Sequence, residues 1–192
     1  MKKSKTAVFT STLVLMAMFT ISCKDGNKKN MTPASDETYQ KDENNTESTA
    51  NGQQNAMAIV DQYLSIKEGL VADNGKKAAE AGDKLVAVIN DYQTKIYSGP
   101  DKEKLQDIIK NAKKQAEQIA EGPIEKQREY FKVLSKNMTD MVAIIGTDTT
   151  LFEQFCPMYD DGSAWLSMNE EVRNPYYGST MLKCGKVQRV IN

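Results

Sequence analysis

The chain has no histidine among its 192 residues. That absence removes Ser-His-Asp and Cys-His catalysis and every imidazole metal site. It also removes the Glu-x-x-His repeat on which di-iron helical bundles are built. Carboxylates, thiols, thioethers, lysines and tyrosines are left to do any chemistry. Neither sign of charge dominates: 25 Lys and Arg against 26 Asp and Glu give a formal charge of −1. So balanced a chain carries no bias toward nucleic acid or an acidic membrane. No nucleophile–base set and no phosphate-cradling glycine loop is present, so the chain is read as a non-enzyme with no catalytic residue and no organic cofactor. Tryptophan occurs once, at Trp165, and cysteine three times, at Cys23, Cys156 and Cys184.

What is present begins with a leader. Lys2, Lys3 and Lys5 precede a mostly apolar run from about Ala7 to Ile21, shorter than the roughly 20 apolar residues of a membrane span. This is the pattern of a signal peptide over residues 1–22. Ser22-Cys23 closes it and resembles the lipobox of bacterial lipoproteins, with Thr20 where leucine is usual. The resemblance implies lipidation at Cys23 and export to the cell envelope, most simply facing the periplasm. Several acyl chains, at about 0.8 kcal/mol per buried methylene, would hold the chain at a membrane surface. Loss of the leader removes three lysines and no acid, moving the charge from −1 to −4. Residues 23–55 are polar with almost no aliphatic side chains, and a segment that buries so little apolar surface cannot offset its ordering entropy. They read as a disordered tether.

Residues 56–192 form the expected domain. Apolar residues recur at helical spacing in four stretches. The first contains Ile59, Val60, Tyr63, Leu64, Leu70 and Val71 and ends at Asp73-Asn74-Gly75. The second runs from about Lys76 to Tyr97, the third from about Asp101 to Glu121, and the fourth follows Gly122-Pro123. In the fourth, Ile124, Phe131, Met138 and Ile145 recur every seven residues, with Leu134 and Met141 between them, which is the seam of a bundle. Met138 and Met141 on that stripe are core filler. The expected fold is mainly α: an up-down antiparallel bundle of about four helices, with a small irregular or β C-terminal segment packed on it. In that segment, residues 147–192, Phe152, Phe155, Trp165, Leu166, Tyr176 and Leu182 are the expected packing residues. Lys186–Ile191 alternates as a terminal strand.

The stretch CPMYDDGSAWLSMNEEVRNPYYGSTMLKCG, residues 156–185, places soft sulfur at both ends. Cys156 and Met158 are two positions apart, Met181 and Cys184 three. Thiolate and thioether donors suit Cu(I) or another soft ion, whereas Zn²⁺ wants more thiol, imidazole or carboxylate donors than two cysteines supply. Two cysteines in an exported chain also suit a disulfide, closing a loop that contributes roughly 3–4 kcal/mol in the chain-entropy model. Spacing leaves both open.

The order Cys156-Pro157-Met158, Trp165-Leu166, Asn174-Pro175-Tyr176-Tyr177-Gly178 and Met181-Leu182-x-Cys184-Gly185 resembles an exported bacterial domain family of unknown function that accompanies, or is fused to, the periplasmic adaptor subunits of heavy-metal efflux pumps. Its Cys-Pro-Met start is also similar to a short heavy-metal-binding module of those adaptors, in which histidine follows; here Tyr159 stands in that place. The resemblance implies a membrane-anchored periplasmic protein that binds a soft metal, copper above all, in heavy-metal handling or efflux. Its metal ligands would be Cys156, Met158, Met181 and Cys184, and its partner a heavy-metal efflux adaptor, with no nucleic acid. The alternative is a non-enzymatic envelope interaction module whose C-terminal loop is closed by a Cys156–Cys184 disulfide.

Overall fold

The structure is a computed structural model that describes residues 44–92, 94 and 97–192, with side chains from Ala56 onward. The leader, Cys23 and residues 24–43 of the expected tether lie outside the described residues. Four helices come first: α1 Asn44–Val71, α2 Gly75–Asp91, α3 Gly99–Glu121 and α4 Ile124–Ile145. Three strands follow, β1 Leu151–Cys156, β2 Ser163–Ser167 and β3 Lys186–Ile191, with a short 3-10 turn at Gly178–Met181. The fold is therefore mainly α with a small C-terminal sheet on the helices.

Each helix packs on the next, and α1 also meets α4, which closes the bundle. α1 reaches back to Asn44, into the stretch read as tether; no proline interrupts it, and each residue added to a nucleated helix gains one backbone hydrogen bond. Asn74 caps α2, its Oδ1 accepting the Lys77 N–H at 2.9 Å. α2 stops at Asp91 rather than Tyr97, because Asn90 and Asp91 are residues whose side chains compete for backbone hydrogen bonds. Pro100 opens α3 and Pro123 precedes α4, where a missing N–H is harmless. Gly82 of α2 lies against the α3 backbone: a β-carbon there would stand 3.0 Å from the Ala116 carbonyl oxygen. With Ala112 and Ala116 on the facing helix, small residues set this close crossing.

The core follows the apolar stripes. Phe131, Leu134, Met138 and Met141 of α4 are fully buried together with Ile59, Tyr63 and Leu70 of α1, Leu85 of α2 and Leu105 and Ile119 of α3. Gln127, also buried, donates through Nε2 to Gly75 O at 3.0 Å and Ile119 O at 2.9 Å. One amide thus joins the start of α2, the end of α3 and the start of α4, and it serves a carbonyl in the last turn of α3 that the helix leaves open.

The sheet has the order β2-β1-β3, antiparallel throughout. A register irregularity at Glu153/Gln154 lets two consecutive β1 residues be buried. Of the expected packing residues, Trp165, Leu166 and Tyr176 are buried, and Phe152, Phe155 and Leu182 are partly buried. The outer edge of β2 is closed by two tyrosine hydroxyls. Tyr63 Oη accepts the Leu166 N–H at 2.9 Å, and Tyr176 Oη donates to Ala164 O at 2.6 Å. An open strand edge is a pairing hazard, and side chains from the bundle and the loop cover this one. Tyr63 is also stacked on Phe131 at 5.1 Å and shares a hydrogen bond with Ser135; burial drives its phenol pKa far upward.

Among the described residues, no helix is long and apolar enough to cross a membrane. Truncation of Met138 to alanine is expected to destabilise the domain by about 2–5 kcal/mol, read as a lower urea midpoint. The exposed Met158 and Met181, treated the same way, should shift stability by no more than about 0.5 kcal/mol.

Candidate functional site

Cys156 is the last residue of β1, opposite Ser163 of β2. Cys184 lies two residues before β3, whose Lys186 pairs with Phe155. Antiparallel pairing of β1 with β3 therefore brings the two cysteines to the same end of the sheet from 28 positions apart, and their sulfurs touch at 2.7 Å. Cys156 is buried and Cys184 partly exposed.

The loop between them is held by Asn174, which is fully buried. Its Nδ2 donates to Cys184 O at 2.8 Å, and its own N–H donates to Leu182 O at 2.8 Å. Its Oδ1 accepts the N–H groups of Tyr176 and Tyr177 at 2.8 and 3.2 Å, and its carbonyl accepts the Gly178 N–H. Every polar group of the residue is spent, which is the condition for burying it. Tyr176 then plugs the loop into the core, stacked on Tyr159 at 4.6 Å, edge-on to Trp165 at 5.8 Å and tilted against Phe131 of α4. Tyr177 Oη donates to Met158 O at 2.8 Å, so the Asn-Pro-Tyr-Tyr-Gly turn grips the Cys-Pro-Met turn directly.

Of the four sulfur residues predicted from sequence, the two cysteines meet through their sulfurs, and the two methionines reach Cys184 through backbone groups. Its N–H donates to Met181 O at 2.9 Å, and the Met158 N–H is directed at its sulfur. The Cys184 thiol pKa is raised, first by the contact with Cys156 and then by burial, with the Met158 N–H opposing. The two thioether residues face outward: Met158 is 62 % exposed and Met181 38 %. Two thiolates on one tetrahedral ion, with metal–sulfur bonds near 2.3 Å, stand about 3.8 Å apart, so this pair would have to open by about 1 Å to share one. Among the described residues no three cysteines or carboxylates gather as a metal site.

A second anchor was not visible in the sequence. Arg128 of α4 donates through Nε to Pro175 O at 3.1 Å and through Nη2 to Asp73 Oδ1 at 2.5 Å and Leu70 O at 3.3 Å. Asp73 in turn accepts the Ser179 N–H at 2.9 Å. The α1–α2 turn, α4 and the C-terminal loop are thereby tied at one point. Gly178 sits there with φ +55°, and a β-carbon would lie inside the Asp73 carboxylate, so this position of the motif is fixed by contact as well as by φ. Lys132 of α4 makes a similar tie to the Asp160 carbonyl and carboxylate at 2.8 and 2.5 Å. Asp160, Asp161 and Gly162 all take positive φ in the tight turn between β1 and β2.

A four-helix bundle with a sheet-borne thiol pair is the class of protein these features define. Residues 59–150 match a family described as a protein of unknown function, DUF3347. The matched span covers the bundle from Ile59 in α1 onward and stops where β1 begins, so the sulfur segment lies beyond it. No curated protein and no solved structure matches the chain.

The Ser179 hydroxyl and N–H, then the Arg128 guanidinium, hold the Asp73 carboxyl below the usual carboxylate range. A lowered folded pKa stabilises the fold above the unfolded value of about 4, and that contribution fades as pH falls through the folded value. Asp73→Asn should therefore lower stability at neutral pH and flatten its decline below about pH 4, measured by urea unfolding across the acid range.

Proposed function

We propose that the chain is a lipid-anchored protein of the cell envelope whose C-terminal unit is a non-enzymatic interaction module closed by a Cys156–Cys184 bond. The observation that carries this reading is the contact between the two sulfurs, at the end of a sheet whose strands already fix both backbones. The bundle supplies a rigid base. The segment after α4 supplies the surface: of the five exposed large hydrophobic residues among the described residues, four (Met158, Met168, Met181 and Val190) belong to it and one, Val133, to the helices. Methionine packs adaptably and is favoured on binding surfaces. An envelope partner such as a heavy-metal efflux adaptor, the companion implied by the motif, would dock there.

Capture of Cu(I) or a similar soft ion is the second reading, and one observation favours it. Backbone groups of Met158 and Met181 both contact Cys184, and both methionines are exposed. Reduced thiols with two thioethers are a soft donor set and a labile one, fitted to handing an ion on. The ion would be cargo, held with no bond chemistry.

The protein purified from the envelope under non-reducing conditions should be lighter by the two thiol hydrogens. Reduction should lower its stability by roughly 3–4 kcal/mol in the chain-entropy model. Free thiols in the exported protein would remove the first reading. Titration of the reduced protein with Cu(I), beside the double variant Cys156→Ser, Cys184→Ser, tests the second. Equal affinity in both would remove these ligands.

A further inference from the structure

The two thiols of the pair differ in one respect that matters for their chemistry. Cys156, the last residue of β1, has no accessible surface. Cys184 is partly exposed on the stretch between the 3-10 turn and β3. A disulfide approaching from solvent can place a sulfur against Cys184 only. Once it has done so, the buried sulfur is already in contact with the sulfur it must attack.

Resting on the reading that the pair closes to a bond, we propose that it closes by thiol–disulfide exchange in a fixed order, Cys184 entering and Cys156 resolving, with a small accessible aliphatic disulfide as the reactant. The Cys184 thiolate attacks one sulfur of the disulfide, a new bond joins Cys184 to that sulfur, and the other half leaves as a thiolate. The Cys156 thiolate then attacks the Cys184 sulfur and displaces the second half. The reactant takes up two electrons and two protons and leaves as two thiols, one equivalent per chain. The thiolate is the attacking species. The closed pair holds no thiolate, so exchange also removes the donors on which soft-metal capture depends.

The test uses the reduced full-length chain carrying Cys23→Ser, so that Cys156 and Cys184 are its two thiols; this background serves as wild type and is treated with oxidised glutathione at about pH 8, where an ordinary thiol is partly ionised. Wild type should lose both thiols and release two equivalents of glutathione with no stable adduct. Cys156→Ser should instead accumulate a glutathione adduct at Cys184, at least about tenfold faster than Cys184→Ser forms one at Cys156; in denaturant the two rates should converge. Limited alkylation of the unsubstituted protein, mapped by peptide mass, gives the same comparison without a variant and should favour Cys184 by a similar factor. Retention of both thiols by wild type would overturn the proposal together with the bond on which it rests. Closure of wild type with equal rates at the two cysteines would overturn the order alone and leave the bond standing.

Discussion

Asn174 is the constraint on which the C-terminal unit depends. One buried side chain accepts from the two tyrosine N–H groups that follow it and donates to the carbonyl of Cys184. Its backbone closes the same loop from both sides. A buried amide is tolerable only when its hydrogen bonds are made, and here the closed loop makes them. The residue therefore specifies one arrangement: Tyr176 in the core, Tyr177 on the Met158 carbonyl and Cys184 against Cys156.

The bundle makes that arrangement possible. Phe131 and Tyr63 present an aromatic floor to Tyr176 and the sheet, and the Tyr63 hydroxyl takes a strand N–H that would otherwise be exposed at an edge. Arg128 holds the Pro175 carbonyl while paired to Asp73, so a single guanidinium fixes the loop to two helical elements. The segment after α4 is too short to fold alone. It folds as an extension of the helical core, and its chemistry sits where the two meet.

Much of this is legible in the chain. The seven-residue recurrence of Ile124, Phe131, Met138 and Ile145 marks α4 because a helix buries one face and a stripe records it. The alternation at Lys186–Ile191 marks β3. Leu151–Cys156 does not declare itself as a strand, because a short apolar run with no strict alternation does not distinguish strand from helix; the burial of Glu153 and Gln154 together at the bulge accounts for the missing alternation. The Asp73–Arg128–Pro175 tie and the buried contact of Lys67 with Ser167, 100 positions away, are illegible for a different reason. Periodicity reports which face of an element is buried, and it is silent on which distant partner will meet a charged side chain there.

The four sulfur residues illustrate both limits. Their spacing in the chain makes them candidates and leaves open how they are arranged. The contact of the two thiols and the outward facing of the two thioether residues come from the register of β1 with β3 and from Asn174, and neither is written in spacing. The most direct test of that dependence is the equilibrium between the Cys156 and Cys184 thiols and a glutathione redox buffer, compared in wild type and Asn174→Ala, with folding of both checked by circular dichroism. A fall of about tenfold or more in the equilibrium constant for closing the pair, corresponding to about 1.4 kcal/mol or more of lost positioning, is expected. An unchanged constant in a folded variant would contradict the dependence of the thiol pair on Asn174.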